Sequence, residues 1–511
     1  MAKTPSLKLF RLIKSLSPTE RRYFKLKVNP TGDRSNKYTT LFDEIYQQEE
    51  FDDEALQQIV YPNEKIESRK FSELKAYLYD SILNSLQSYD EKSSIEYRLK
   101  GYLLDIKVLF KRTLYPECEN QIAKAKKMAT DFEEFTSLLE LLRWEKELAY
   151  ARTDIQFLDT ELGRIREEEK EALRQLEIQT ELRNLFLRLL VELRKDVSRS
   201  KEQLKRLKVL SDHAYLNKEP ENIGFWARVY RLRFISLYYF SISDLENFYN
   251  SSKKLVETFE DKPDFLKEDV SEYISSINNH VISCGNLNKL DEVRENLEKL
   301  KQVKPITGDD QLKIHRQYYM NMFRLCIETG DFEKGLNELK NHQREVDKFE
   351  KAAFEKGNFY FQYFTIYFAN EEYEQALDYL NQWLNMSKNV ERQDLQALAR
   401  VINLIIHFEM KNYVLLHSLV RSAKRYLTKE KRIYKFEKHI MDFLGGIDEI
   451  TGRRERKEGF EKLKNQLQAL KAEPVESNMM RYFDFMSWVE SKLIGKSFSE
   501  VVADNFQKRS N

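Results

Sequence analysis

One spacing constrains this chain more than any other property. A small polar turn followed by an aromatic or aliphatic residue returns every 40–48 residues. The residues that open the recurrences are Tyr115, Ile155, Val197, Leu245, Leu287, Phe332, Tyr373 and Tyr413, at steps of 40, 42, 48, 42, 45, 41 and 40. A helical-period segment such as QLKIHRQYYMNMFRLCIET precedes each, and a second one such as YEQALDYLNQWLNM follows. A fixed period that holds two helices implies stacked hairpins, because one hairpin cannot bury its apolar face alone. The eight recurrent residues are therefore expected to be structural anchors between helices rather than ligand contacts.

Prolines follow the same phase. Pro220, Pro263 and Pro305, spaced 43 and 42 apart, fall between hairpins where helix cannot continue. Pro116 sits just after Tyr115, where the first turn of a helix tolerates it. With 14 Gly and 9 Pro in 511 residues, 41% hydrophobic and 33% charged side chains, the chain is too apolar for disorder and too poor in turn residues for β structure. The 85 basic and 84 acidic side chains cancel, so no whole-molecule field draws nucleic acid or membrane. Cys118, Cys284 and Cys326 form no C-x-x-C pair and are expected to be reduced thiols of a cytoplasmic protein. No apolar window is long enough for a membrane span, and the N-terminus lacks the apolar core of a secretory signal.

The turn-plus-helix stretches GDFEKGL (330–336), EEYEQAL (371–377) and TLYPECE (113–119) resemble the second-helix start of tetratricopeptide (TPR) repeats, in which a small residue follows the aromatic by three. Gly335, Ala376 and Cys118 occupy that position, and Tyr367 falls where such repeats place a first-helix tyrosine. Leu158, Phe248, Leu290 and Leu416 replace the small residue elsewhere, and the period exceeds the family's 34 residues. HEAT-type repeats are the alternative on period alone. The whole chain also resembles bacterial helical-repeat proteins, a likeness that carries no activity. The TPR resemblance implies that first helices line a concave face. Counting back from the small position places Lys100, Leu103 and Lys107, then Arg143 and Glu147, Tyr230 and Arg233, Asn279, Gln317 and Arg324, and Asn358 and Phe361 on it. A surface carrying Lys107, Arg143, Arg233 and Arg324 would suit an acidic or C-terminal carboxylate segment; the plainer reading is that these charges are solvated or locally paired.

The ends leave the period. Segment 1–40 carries ten Lys/Arg against Glu20 and Asp33, whereas 41–60 carries seven acids and no base. The two are expected to neutralise each other within a small helical domain; alternatively, basic helix 7–28 meets nucleic acid or an anionic surface. Ser17 reads as a helix N-cap with Pro18 at the first helical position, and Phe71, Leu74, Leu78, Ile82 and Leu86 form one apolar stripe. Beyond 430, GGID (445–448) and TGRRERKEG (451–459) read as breaks between capping helices.

Sequence signs of chemistry are few. Gly495-Lys496-Ser497 lacks the first P-loop glycine, since residue 490 is Glu. None of the seven histidines (His213, His280, His315, His342, His407, His417, His439) opens H-E-x-x-H or has an acid three residues before it, and no cysteine has a recognisable histidine partner. The run FYFQYFTIYF (359–368) is apolar on more than one face, as expected of a helix sandwiched in an array.

The resulting expectation is an all-α protein: a right-handed superhelical α-solenoid of about eight hairpins, comprising a 1–92 helical domain, 93–430 TPR-like repeats and 431–511 capping helices. Its expected role is a non-catalytic scaffold for a protein or peptide partner, with no cofactor and no metal. The alternative is a regulator whose basic N-terminal domain contacts nucleic acid.

Overall fold

The recurrent residues open helices because each follows a backbone reversal of the same kind. The computed structural model describes residues 7–29, 36–62, 68–90, 94–195, 201–346, 349, 357–385, 393–429, 434–447, 452–473, 476, 480 and 482–510. Among these are 26 helices and no strand, so the described protein is all-α. Tyr115, Ile155, Leu245, Phe332, Tyr373 and Tyr413 are each the first residue of a helix. Two residues before each stands one with a left-handed backbone: Thr113, Thr153, Ser243, Gly330, Glu371 and Lys411, with φ between 55° and 76°. The next N–H reaches back five residues, from Leu114 to the Leu109 carbonyl (3.1 Å), Asp154 to Ala149 (2.9 Å), Glu372 to Tyr367 (3.0 Å) and Asn412 to His407 (3.0 Å). This hydrogen bond satisfies a helix-end carbonyl and reverses the chain in three residues.

Two anchors need correction. Leu287 is the C-cap of helix Ser271–Asn286; the left-handed residue is Asn288 (φ 58°), and the next helix starts at Leu290. Asparagine adopts that conformation readily, which moves the helix start three residues past the hydrophobic residue that suggested it. Ile155 opens its helix but is 65% exposed, so it holds no neighbour in place. Val197 lies outside the described residues. The position that is buried is three residues into the helix: Cys118 (0%), Phe248 (4%), Val293 (4%), Ala376 (0%) and Leu416 (1%). Gly335 occupies it in the helix Phe332–Val346, where a Cβ would stand 3.2 Å from Cys326 Cβ.

No break occurs where the third hairpin was expected to start its first helix. Ile155–Lys195 is one helix of 41 residues. It contains no proline, and its exposed side carries one-turn ion pairs, Arg164–Glu168 (2.6 Å), Lys170–Glu167 (2.6 Å) and Arg174–Glu171 (2.7 Å). Its first half joins a core with Leu99, Ile122 and Leu142, through Ile165 and Ala172. Its second half joins another with Ala227 and Phe234, through Ile178, Leu182 and Leu189.

The chain divides into two compact units, Met1–Ser243 with Glu257–Glu268, and Asp244–Val256 with Asp269–Asn511. The division falls inside the expected repeat segment rather than at 92 or 430. Within the first unit, residues 9–82 close a core of their own from Ile13, Phe24, Leu41, Leu78 and Ile82. Ser17 caps helix Pro18–Val28 in a capping box with Glu20. Lys25 pairs with Asp43, Lys14 donates to the Tyr46 carbonyl (2.7 Å), and the Arg21 guanidinium lies 4.1 Å from the Tyr46 ring. Basic and acidic segments thus do meet.

In the second unit Lys435–Gly445 and Arg453–Leu470 continue the packing beyond Tyr413–Lys429. The stretch read as a break at 451–459 is helical from Arg453, because only Gly452 interrupts it and Gly452 serves as the N-cap. The last two helices, Phe485–Ile494 and Phe498–Ser510, do not extend the stack. They fold back: Phe498 packs on Phe332 (5.9 Å) and Phe368 (5.4 Å), and Trp488 Nε1 donates to Glu409 (2.7 Å).

Carboxylates from distant segments cap helix starts. In the first unit Glu268 accepts from Ile95 N (2.7 Å) and Glu133 from Phe225 N (2.5 Å). In the second, Glu476 accepts from Lys435 N (2.9 Å) and Phe436 N (3.2 Å), beside the fully buried Glu437. Burial, with Glu476 adding repulsion, pushes the Glu437 carboxyl up to about 7.

Replacing the left-handed Glu371 or Lys411 with glycine is expected to stabilise the protein by about 0.5–1 kcal/mol by relieving backbone strain. Gly330→Ala is expected to cost about 2 kcal/mol or more, since its φ is 76° and a Cβ would meet Ala503 N at 2.6 Å. Urea midpoints of the variants check both. Glu437 binds its proton more tightly folded than unfolded, so stability is expected to fall as pH rises from 4.5 to about 7. Glu437→Gln should remove that slope and be about 2–3 kcal/mol more stable than wild type above pH 7, measured by urea denaturation across pH.

Candidate functional site

The residues expected on a concave face are distributed over both units, and most of the cations among them are already engaged. In the first unit Lys100 pairs with Glu96 one turn earlier, and the hydrogen bond it donates to Glu96 raises its pKa. Arg143 pairs with Glu140 (3.3 Å) and lies 5.8 Å from the Trp144 ring. The Arg233 guanidinium covers the Phe186 ring at 4.1 Å, and Tyr230, half-buried, packs on the same core. Lys107 is exposed. In the second unit Arg324 pairs with Glu328 (2.8 Å), and Asn279 is exposed. Gln317 is half-buried, its amide oxygen without a hydrogen-bond partner among the described residues. Phe361 packs on Phe364 (4.8 Å) and Trp383 (5.8 Å). The Asn358 side chain lies outside the described residues. Arg143 and Arg324 each pair with an acid of their own helix, and the Arg233 guanidinium lies over an aromatic ring. Such exposed local pairs are weak, and a guanidinium has five N–H donors.

The second unit builds a cavity where sequence reasoning placed only a cap. Phe483 lies parallel to Phe498 (5.5 Å, 3° between planes), and it touches Phe364 (6.1 Å) and Phe368 (5.2 Å). These rings clamp the C-terminal segment onto helix Gly357–Ala369. The aromatic helix 357–369 is what makes this clamp: Phe359, Phe364 and Phe368 are almost fully buried, as expected of a sandwiched helix. Glycine at 330 lets the backbone of helix Phe498–Ser510 approach the turn. Between the clamp and the ends of helices Ser271–Asn286 and Gly308–Thr329 lies a cavity of about 710 Å³. Its floor is apolar, from Ile327, Phe332 and Phe506, and its rim carries Glu328, Lys471 and Arg509. A volume of this size with an apolar floor and a few charges fits several side chains of a peptide or one small molecule.

Phe361 borders this region through Tyr482, 6.0 Å away. Asp484, though part of the wall, is committed as an N-cap, accepting from Ser487 N (3.0 Å) and Ser487 Oγ (2.6 Å). Gly285 also lines the cavity, and a Cβ there would meet nothing within 4 Å. The residues that sequence reasoning missed are Tyr482, Phe483 and Phe498. The signal for Tyr482 and Phe483 was the aromatic density of RYFDFMSW (481–488), which was read as a cap.

A second cavity of about 630 Å³ lies between helices Gly308–Thr329 and Phe332–Val346. His315 Nδ1 stands 3.4 Å from Glu345 there and stacks on His342 at 4.8 Å. Burial, with Glu345 and Glu338 nearby, holds the Tyr318 and Tyr319 phenols well above their ordinary value, so both stay protonated donors. Among the described residues no helix is long and apolar enough to cross a membrane. No family model matches the chain, and no curated protein does either.

Proposed function

We propose that this protein is a non-catalytic scaffold of the cytoplasm. In this reading the helices form a TPR-like, right-handed α-solenoid of about eight hairpins. The solenoid holds a peptide or protein partner in the cavity beneath the C-terminal helices. The observation that carries the reading is that cavity: about 710 Å³, apolar at its floor and bounded on one side by a C-terminal segment clamped through aromatic rings. The repeated left-handed turn supports the repeat architecture, since it returns at the spacing that stacked hairpins need. The alternative, nucleic-acid contact through segment 7–28, which forms two helices, Lys8–Ser15 and Pro18–Val28, has less behind it. Lys14 and Arg21 are drawn onto Tyr46, and Lys25 onto Asp43.

Gly285→Trp tests the reading, because Gly285 lines the cavity and a Cβ there meets nothing within 4 Å. Wild-type protein is expected to capture the same partner from its host with and without nuclease. The variant should lose at least 10-fold in affinity, about 1.4 kcal/mol, while its urea midpoint stays unchanged. Nuclease-sensitive capture, or equal capture by the variant, overturns the proposal; the first outcome would move attention to the basic segment 1–40.

A further inference from the structure

The turn at Asn288 gathers a polar cluster that the packing of helices does not require. His280 and Cys284 lie one turn apart on helix Ser271–Asn286, and Glu292 comes from the first turn of the next helix, Leu290–Gln302. His280 is 4% exposed and Cys284 0%, whereas Glu292 reaches solvent. Cys284 Sγ stands 3.6 Å from His280 Nε2 and 3.8 Å from Glu292 Oε2, and the three ligand atoms all lie within 4.8 Å of one another. Zinc bonds of about 2.3 Å to sulfur and 2.0 Å to nitrogen at tetrahedral angles separate such atoms by about 3.5 Å. The two distances from Cys284 Sγ are close to that value, and the separation of the imidazole and carboxylate, within 4.8 Å, closes by a side-chain rotation of Glu292.

The surroundings orient the ligands. Ser252 Oγ donates to the Tyr249 carbonyl (2.9 Å) and Ser283 Oγ to the His280 carbonyl (2.8 Å). The serine oxygens lie 3.0 and 3.3 Å from Nδ1 and 2.8 Å from each other, so hydroxyls hold this nitrogen and leave Nε2 to a ligand when Nδ1 carries the proton. Cys284 Sγ, 3.6 Å from Nε2 and 3.9 Å from Nδ1, stands beside the ring. A ligating histidine is commonly fixed in this way, through its other nitrogen. Tyr249 Oη donates to Glu292 Oε2 (2.7 Å), which orients the carboxylate. Lys289 stays to one side, 3.7 Å from Glu292 Oε1 and 3.5 Å over the Tyr249 ring.

We propose that His280 Nε2, Cys284 Sγ and Glu292 Oε2 are three ligands of a zinc ion whose fourth position faces the solvent-exposed rim of the cluster. Three protein ligands and one open position describe a zinc ion that takes water or an incoming thiolate, rather than a closed structural site. The thiolate and carboxylate together balance the ion's charge, so Lys289 meets no net positive centre. Burial holds His280 down to about 4, which keeps the imidazole in its ligating neutral form, and pushes the Cys284 thiol up to about 12. Sulfur and imidazole donors suit a thiophilic cation and not calcium or magnesium, which take oxygen ligands.

The full-length protein, stripped with chelator and titrated with cobalt(II), is expected to develop one equivalent of thiolate-to-cobalt charge-transfer absorption that zinc abolishes and magnesium does not. Cys284→Ala should lose the band. Glu292→Gln, which keeps an acceptor for Tyr249 at the exposed rim, should retain the fold and bind at least ~10-fold more weakly; Ser252→Ala should weaken binding about 10-fold. Zinc should raise the melting temperature of wild type but not of Cys284→Ala. Absence of the band in wild type, or its survival in Cys284→Ala on account of Cys118 or Cys326, overturns the proposal. Equal affinity in Glu292→Gln overturns the three-ligand assignment.

Discussion

Each hairpin depends on a reversal that is unfavourable by itself. Among the described residues ten lie in the left-handed region, and eight of those carry a side chain. Each such residue costs about 1–2 kcal/mol. Against this stands the burial of the residue three positions into the following helix, worth about 1.5–3 kcal/mol for a large apolar side chain. Phe248, Val293 and Leu416 supply that burial directly. Gly335, Ala376 and Cys118 supply it differently, by letting a neighbouring helix come close enough for its own side chains to fill the space. The turn is therefore tolerated because of what lies just beyond it.

That coupling explains which parts of the fold were legible in the sequence. Turn and buried position recur together, so Tyr115, Leu245, Phe332, Tyr373 and Tyr413 could be located as helix starts without coordinates. Leu287 was misplaced because the pattern shows hydrophobicity, whereas the turn is decided by the asparagine beside it. The long helix after Ile155 was invisible for a related reason: a solenoid period predicts where a break belongs, but only local residues make one. The segment offers neither proline nor a left-handed glycine. Capping at Ser17 and the stripe from Phe71 to Leu86 were readable because both are local rules.

The cavity and the buried cluster were less legible, since each depends on residues far apart or on an unlisted spacing. Phe483 and Phe498 look like the core of a terminal cap until Phe332 and Phe368, more than 100 residues earlier, are placed beside them. His280 and Cys284 are only four apart, yet established metal motifs pair histidines with histidine or acid at that interval. Glu292 arrives across a turn whose position the pattern had misjudged. A search for any two ligating side chains one helical turn apart, followed by an acid beyond the next turn, would have found them.

The 41-residue helix has a consequence for how the first unit comes apart. At 1.5 Å per residue it is a rod of about 60 Å, and it contributes to two otherwise separate cores, through Ile165 and Ala172 at one end and Leu182 and Leu189 at the other. Where a turn divides two helices, one can fray while its neighbour holds. Here the hydrogen-bond ladder runs unbroken from one core into the next, so melting of either removes the support of the other. The rod acts as a splice: it joins two packing units into one that opens and closes as a whole.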